Sequence, residues 1–136
     1  MKNFILIALA YIVPTMLLGM VWHFVWFHEL YEKLGMYNRA EPIIPLGMSS
    51  MIIQGLIIAY LYPYYAKDKS TIKTGLKFSL LMGLFLFSVT TLANAAKIEV
   101  TSLQQWLIIQ LAFHLIQFTI AGVFIGLIKT NLYTNT

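Results

Sequence analysis

The chain has 136 residues, 60% of them hydrophobic and only 10% charged, with a formal net charge of +4 and no cysteine. A soluble domain needs roughly 25% charged residues to face water, so the solvent this composition fits is lipid, and the mean hydropathy of +0.78 agrees. The missing cysteines exclude disulfides, thiolate metal sites and dithiol redox chemistry, and the basic balance lies in short connections rather than in an aromatic-interleaved stripe, which excludes nucleic acid as a partner.

The first predicted helix spans about 4–27. Its apolar run is too long for a signal-peptide core of about 7–15 residues, so an uncleaved span is expected. Pro14 lies inside it and is expected to bend it. A polar connection at about 28–42 follows, with His28 and Glu32, and Glu29 and Lys33, at i,i+4 spacing on a solvated helix end. Two potential ligands are too few for a stable metal site, and none is assigned.

The second helix spans about 43–65, with Pro42 and Pro45 at its entrance, where a missing N–H costs little. The third spans about 72–96, with Ser70 or Thr71 as its cap. The fourth spans about 103–129, and Thr101 and Gln104 have the spacing of a capping box. Each is close to the ~20 residues needed to cross the hydrocarbon, and only helices satisfy their own backbone there. The expectation is an all-α, integral membrane four-helix bundle forming a single domain over residues 1–136, with a short frayed tail after Lys129.

Six basic residues (Lys2, Lys67, Lys69, Lys73, Lys77, Lys129) fall on one side and three (Lys33, Arg39, Lys97) on the other. By the positive-inside rule both termini and the second connection, which also carries Asp68, are cytoplasmic. Trp22, Trp26 and Trp106 then map to the outer boundary, and Tyr60, Tyr62, Tyr64 and Tyr65 to the inner one, as aromatic belts.

Polar side chains within the spans are expensive unless partnered. With ~1.5 Å of rise per residue, His23 and Asn94 lie roughly 12 Å outward of mid-helix, Gln110 roughly 9 Å, Ser49 and Ser50 roughly 7 Å and His114 roughly 3 Å. Gln110, His114 and Gln117 share one face of the fourth helix with Ala121. That face must point into the bundle. Two readings stand side by side. The polar groups hydrogen-bond across helices to Asn94, Thr90 or Ser50 as structural links, or they line a ligand or transport pocket open to the outside. The candidate ligand-binding residues are His114, Gln110, Gln117, Asn94, His23 and Trp22.

Gly122 and Gly126 form a GxxxG pattern, and Gly55–Ala59 and Ser79–Gly83 are small-xxx-small pairs, expected to serve packing within the bundle in preference to dimerisation. No acid lies mid-membrane, which argues against a proton-coupled exporter of cationic drugs. No nucleophile elbow, zinc-protease helix or P-loop is present, so no catalytic residue and no cofactor is assigned.

Gly19 and Trp22, then Trp106-Leu107-Ile108, His114-Leu115, Gly122 and Gly126 resemble the pattern of a family of small bacterial four-helix membrane proteins of unknown function. The likeness covers nearly the whole chain, although His23 stands where the family usually has Tyr, and the Phe-Gly after it is absent. It implies a bundle in a bacterial cytoplasmic membrane and supplies no activity. The functional expectation is a small-ligand-binding or transport-related protein. The rival, from another class, is an accessory subunit of a larger membrane complex or a homo-oligomer.

Overall fold

The computed structural model describes residues 2–36, 39, 41–67 and 69–129. The expectations for Asp68 and for the tail beyond Lys129 lie outside these residues. The described residues contain helices and connections and no strand. In chain order the helices are α1 (Lys2–Val21), α2 (His28–Lys33), α3 (Ile44–Ala66), α4 (Ile72–Phe87), α5 (Ala93–Ala95) and α6 (Leu103–Gly126). Wider π-helical turns extend α1 over Trp22–Trp26 and join α4 to α5 over Ser88–Leu92. Among the described residues, four helices are long and apolar enough to cross a membrane, at Lys2–Trp26, Ile44–Ala66, Ile72–Ala95 and Leu103–Gly126. The protein is an all-α, multi-pass membrane protein.

Local signals set most of the boundaries. Thr71 caps α4 by accepting from the Thr74 N–H at 3.2 Å, while Ser70 instead donates to the Ile128 carbonyl at 2.6 Å and meets the Tyr62 hydroxyl at 2.9 Å. The cap of α6 is Ser102, which accepts from the Gln105 N–H. The cap expected at Thr101 is therefore displaced by one residue, and Thr101 instead donates to the Lys33 carbonyl at 2.7 Å, which ties α2 to the connection before α6. Pro14 lies within an α1 that runs unbroken to Val21, and the departure from α geometry comes later, at Trp22–Trp26.

The helices pack in the order α3, α1, α6, α4, with α6 the most buried and the α4–α6 seam the most extensive. In lipid, apolar side chains gain little by leaving the solvent, so helices associate through close van der Waals packing and hydrogen bonds. The seam shows this directly. A Cβ placed on Gly126 would lie 2.6 Å from the Ile72 Cα, and one on Gly75 would lie 2.6 Å from the Gly126 Cα. Gly83 likewise admits the Phe118 ring, and Gly55 admits Ile12 of α1. The small-residue patterns thus bring backbones together within one chain.

Two apolar clusters follow. One gathers Ile7 and Tyr11 of α1, Ile58 and Tyr62 of α3, Phe78 of α4 and Phe118 and Ile125 of α6, in the half nearest the two chain ends. Asn3 closes this end by donating to the Lys129 carbonyl at 2.9 Å. The other gathers Trp22, Tyr31, Leu34, Trp106, Ile109 and Phe113, where α2 folds back over the opposite end. Trp22 and Trp106 are each 4% exposed, so they form a core under α2 rather than a lipid-facing belt. Trp26 alone of the three tryptophans is exposed.

The glycine seam leaves no room for a side chain on either backbone. Gly126→Val is expected to destabilise the bundle by about 1–3 kcal/mol, the usual cost of overpacking, read as an earlier midpoint in a mixed-detergent unfolding titration. Gly19→Ala, whose Cβ meets nothing within 4 Å, is expected to leave that midpoint unchanged or raised.

Candidate functional site

α6 presents its polar face inward, and each member is held by a different neighbour. The Gln117 amide donates to the Tyr11 hydroxyl at 3.0 Å and to the Thr15 hydroxyl at 3.3 Å, both on α1. Tyr11 in turn donates to the Gln54 side-chain oxygen on α3 at 2.6 Å, and the Gln54 amide donates to Ser50 at 3.0 Å. One hydrogen-bond chain therefore crosses three helices, α6, α1 and α3. Near the opposite end, the Gln110 amide donates to the Tyr31 hydroxyl of α2 at 3.1 Å.

His114 sits between these links. Its Nδ1 lies 2.8 Å from the backbone carbonyl of Gln110, one turn earlier. A carbonyl cannot donate, so Nδ1 carries the proton and, in the neutral ring, Nε2 is an acceptor. Nε2 faces the Thr90 hydroxyl at 3.3 Å. That hydroxyl has a shorter bond to the Leu86 carbonyl, at 2.8 Å. The imidazole is walled by Phe87 and Phe113, both edge-on, and lies near-parallel to Phe118.

These groups border a cavity of about 480 Å³ that is open rather than sealed. Its polar wall includes His23, Thr15, Thr90, Gln110, His114 and Gln117, and its apolar wall includes Met16 and Met20 of α1 and Met48 and Met51 of α3. Four of the seven methionines in the chain thus line this one space. Met is unbranched and polarisable and adapts to differently shaped contacts. No acidic residue is among the lining residues.

The reason for the cavity lies in α3. Its buried residues all fall between Gly55 and Ala66, and every residue from 41 to 50, Pro42 and Gly47 among them, is exposed. α3 meets α4 near their connection, where the Tyr62 and Tyr65 rings lie 5.3 Å from Phe78. Toward the other end α3 stands away, and nothing lies within 4 Å of a Cβ placed on Gly47 or on Gly19 across from it. Both glycines line the cavity.

Both π turns border this space as well. His23 lies in the first, its ring 4.7 Å from Tyr31 and 4.9 Å from Phe113, and Thr90 lies in the second. A π turn inserts a residue into a helix and is frequent at functional sites.

Four of the six sequence candidates, His23, Gln110, His114 and Gln117, are brought together on the cavity wall. Two are not. Asn94 turns back to donate to the carbonyl of Thr90 on its own helix at 2.8 Å, and it does not line the cavity. Trp22 packs 4.5 Å from the Phe27 ring and 5.6 Å from Phe113, within the end cluster. Sequence reasoning left out Tyr11, Thr15 and Tyr31. The i,i+4 spacing of Tyr11 and Thr15 in mid-helix was the available signal for the first two, whereas Tyr31 looks like a connection residue until α2 folds back. His28 and Glu32 approach to 3.5 Å and Glu29 and Lys33 to 3.9 Å, exposed pairs on α2. No group of three or more potential metal ligands occurs among the described residues.

No family model, curated protein or solved structure matches this chain.

Tyr11 both accepts and donates in the chain across α6, α1 and α3. Tyr11→Phe is expected to cost about 1–2 kcal/mol, at the upper end for a hydrogen bond in a membrane interior because two bonds are lost. Asn94→Ala, which removes only a bond within its own helix, is expected to change the unfolding midpoint little in the same titration.

Proposed function

We propose that this protein binds a small, largely apolar molecule in its intramembrane cavity and either retains it or passes it on. The observation that carries this reading is the cavity itself, about 480 Å³ with a methionine-rich wall on one side and His23, Thr90, Gln110, His114 and Gln117 on the other. Sites for small molecules are typically about 300–1,000 Å³, mostly apolar, with a few convergent polar groups. The gap between α3 and α4 gives a route from lipid into the space. Polar groups from α1, α6 and the π turn after α4 converge on this space, and polar side chains within a membrane span mark ligand or transport sites.

The cavity lies in the half that carries the connection between α1 and α3, away from the two chain ends. The distribution of basic residues, six on the side of the ends against three on the other, supports an orientation with both ends cytoplasmic and the cavity in the outer half of a bacterial cytoplasmic membrane. A reporter fused after Thr136 is expected to be active only in its cytoplasmic form, and a periplasmic signal there would reverse the orientation.

Native mass spectrometry of the protein released from membranes is expected to show a discrete bound mass. Gly19→Phe and Gly47→Phe, at two lining positions where a Cβ meets nothing within 4 Å, are expected to lose that mass while keeping the wild-type unfolding midpoint. A bare wild-type protein would overturn the binding reading. Recovery of a second polypeptide at fixed stoichiometry would favour the accessory-subunit reading, for which the uncovered half of α3 is the available surface.

A further inference from the structure

The proton inventory of the α6 wall says which kind of ligand fits, given the binding reading above. His114 has its only neutral-state proton on Nδ1, committed to the Gln110 carbonyl at 2.8 Å. Gln117 has two amide protons, committed to Tyr11 and Thr15. Thr90 has one hydroxyl proton, and its 2.8 Å bond to the Leu86 carbonyl is shorter than its 3.3 Å approach to His114. What His114, Gln117 and Thr90 can offer to an occupant is therefore lone pairs, Nε2, the Gln117 side-chain oxygen and the Thr90 oxygen, while Gln110 gives one amide proton to Tyr31 and keeps the other. Among the described residues no carboxylate lines the cavity to pair with an imidazolium or with a cationic ligand, and an unpaired charge in hydrocarbon is costly.

We propose that the cavity selects a neutral apolar molecule bearing a hydroxyl donor, of the alkylphenol or long-chain alcohol class, with the hydroxyl given to His114 Nε2. A ketone, an ester or an ether of the same shape would leave Nε2 without a donor. The apolar body lies against the methionines of α1 and α3, whose flexible side chains accept chains of different shape. The π turn at Ser88–Leu92 contributes by placing Thr90 opposite the imidazole while its proton stays on its own helix.

The test is a matched pair of probes, 4-dodecylphenol and its methyl ether, which differ only in whether the donor is blocked. Bound fractions are counted by native mass spectrometry at equal probe concentrations for wild type, His114→Phe and Gly19→Phe. Wild type is expected to prefer the phenol by about tenfold, the worth of one hydrogen bond of ~1–1.5 kcal/mol. His114→Phe is expected to bind both probes alike, and Gly19→Phe neither. Equal binding of phenol and ether by wild type would overturn the donor selectivity while leaving the cavity as a binding site. A preference that survives in His114→Phe would remove the imidazole as its source. Binding of neither probe by wild type, or undiminished binding by Gly19→Phe, would instead defeat the cavity reading on which the selectivity rests.

Discussion

The contact on which the architecture depends is the glycine seam between α4 and α6. Gly75, Gly122 and Gly126 let two backbones meet with no side chain between them. In lipid this close approach replaces the hydrophobic drive that assembles soluble bundles. Once α4 is drawn against α6, it is unavailable to α3 along most of its length. α3 is held instead by α1, through Gly55 and Ile12 and through the Tyr11–Gln54 hydrogen bond. The ring of four spanning helices is therefore closed on three sides and splayed on the fourth, and the splay is the cavity.

The polar groups of α6 serve two ends with the same atoms. Gln117 and Gln110 spend amide protons on hydroxyls of α1 and α2, which holds those elements in place. That expenditure leaves acceptor oxygens and the His114 Nε2 on the wall. Structural linking and ligand selection are thus not rival uses of these residues, because the donors of Gln117 and His114 go to the scaffold and the Nε2 lone pair remains for an occupant. Trp22 and Trp106 are held beneath α2 differently, by ring packing alone, with both indole N–H groups buried and without a hydrogen-bond partner among the described residues. Both indoles pack in the end cluster around Tyr31 and Phe113, the rings that also border His23.

Much of the fold was legible because it depends on composition and period. The four spans at about 4–27, 43–65, 72–96 and 103–129 match Lys2–Trp26, Ile44–Ala66, Ile72–Ala95 and Leu103–Gly126 to within a few residues. The i, i+4, i+7 spacing of Gln110, His114 and Gln117 placed them on one face, and they are all buried. Asn94 lies off the cavity wall because depth alone says nothing about which way a side chain turns, and an amide one turn from a carbonyl can satisfy itself locally. The two π turns left no trace in the apolar pattern, since inserting one residue shifts a helical face without changing its composition.

The amino-acid sequence by itself determined that this chain lives in lipid, crosses it four times and turns a polar face of its last helix inward. Those properties follow from hydrocarbon thickness, backbone hydrogen bonding and the cost of unpartnered polar groups, all of which act on one segment at a time. Only the tertiary structure decided which helices touch, that α2 folds over one end, and that α3 stands away from α4 to leave a lined space. Those outcomes depend on which glycine meets which backbone and which hydroxyl reaches which amide. Such pairings join residues as far apart as Tyr11 and Gln117, and they arise only when all the helices compete for the same neighbours.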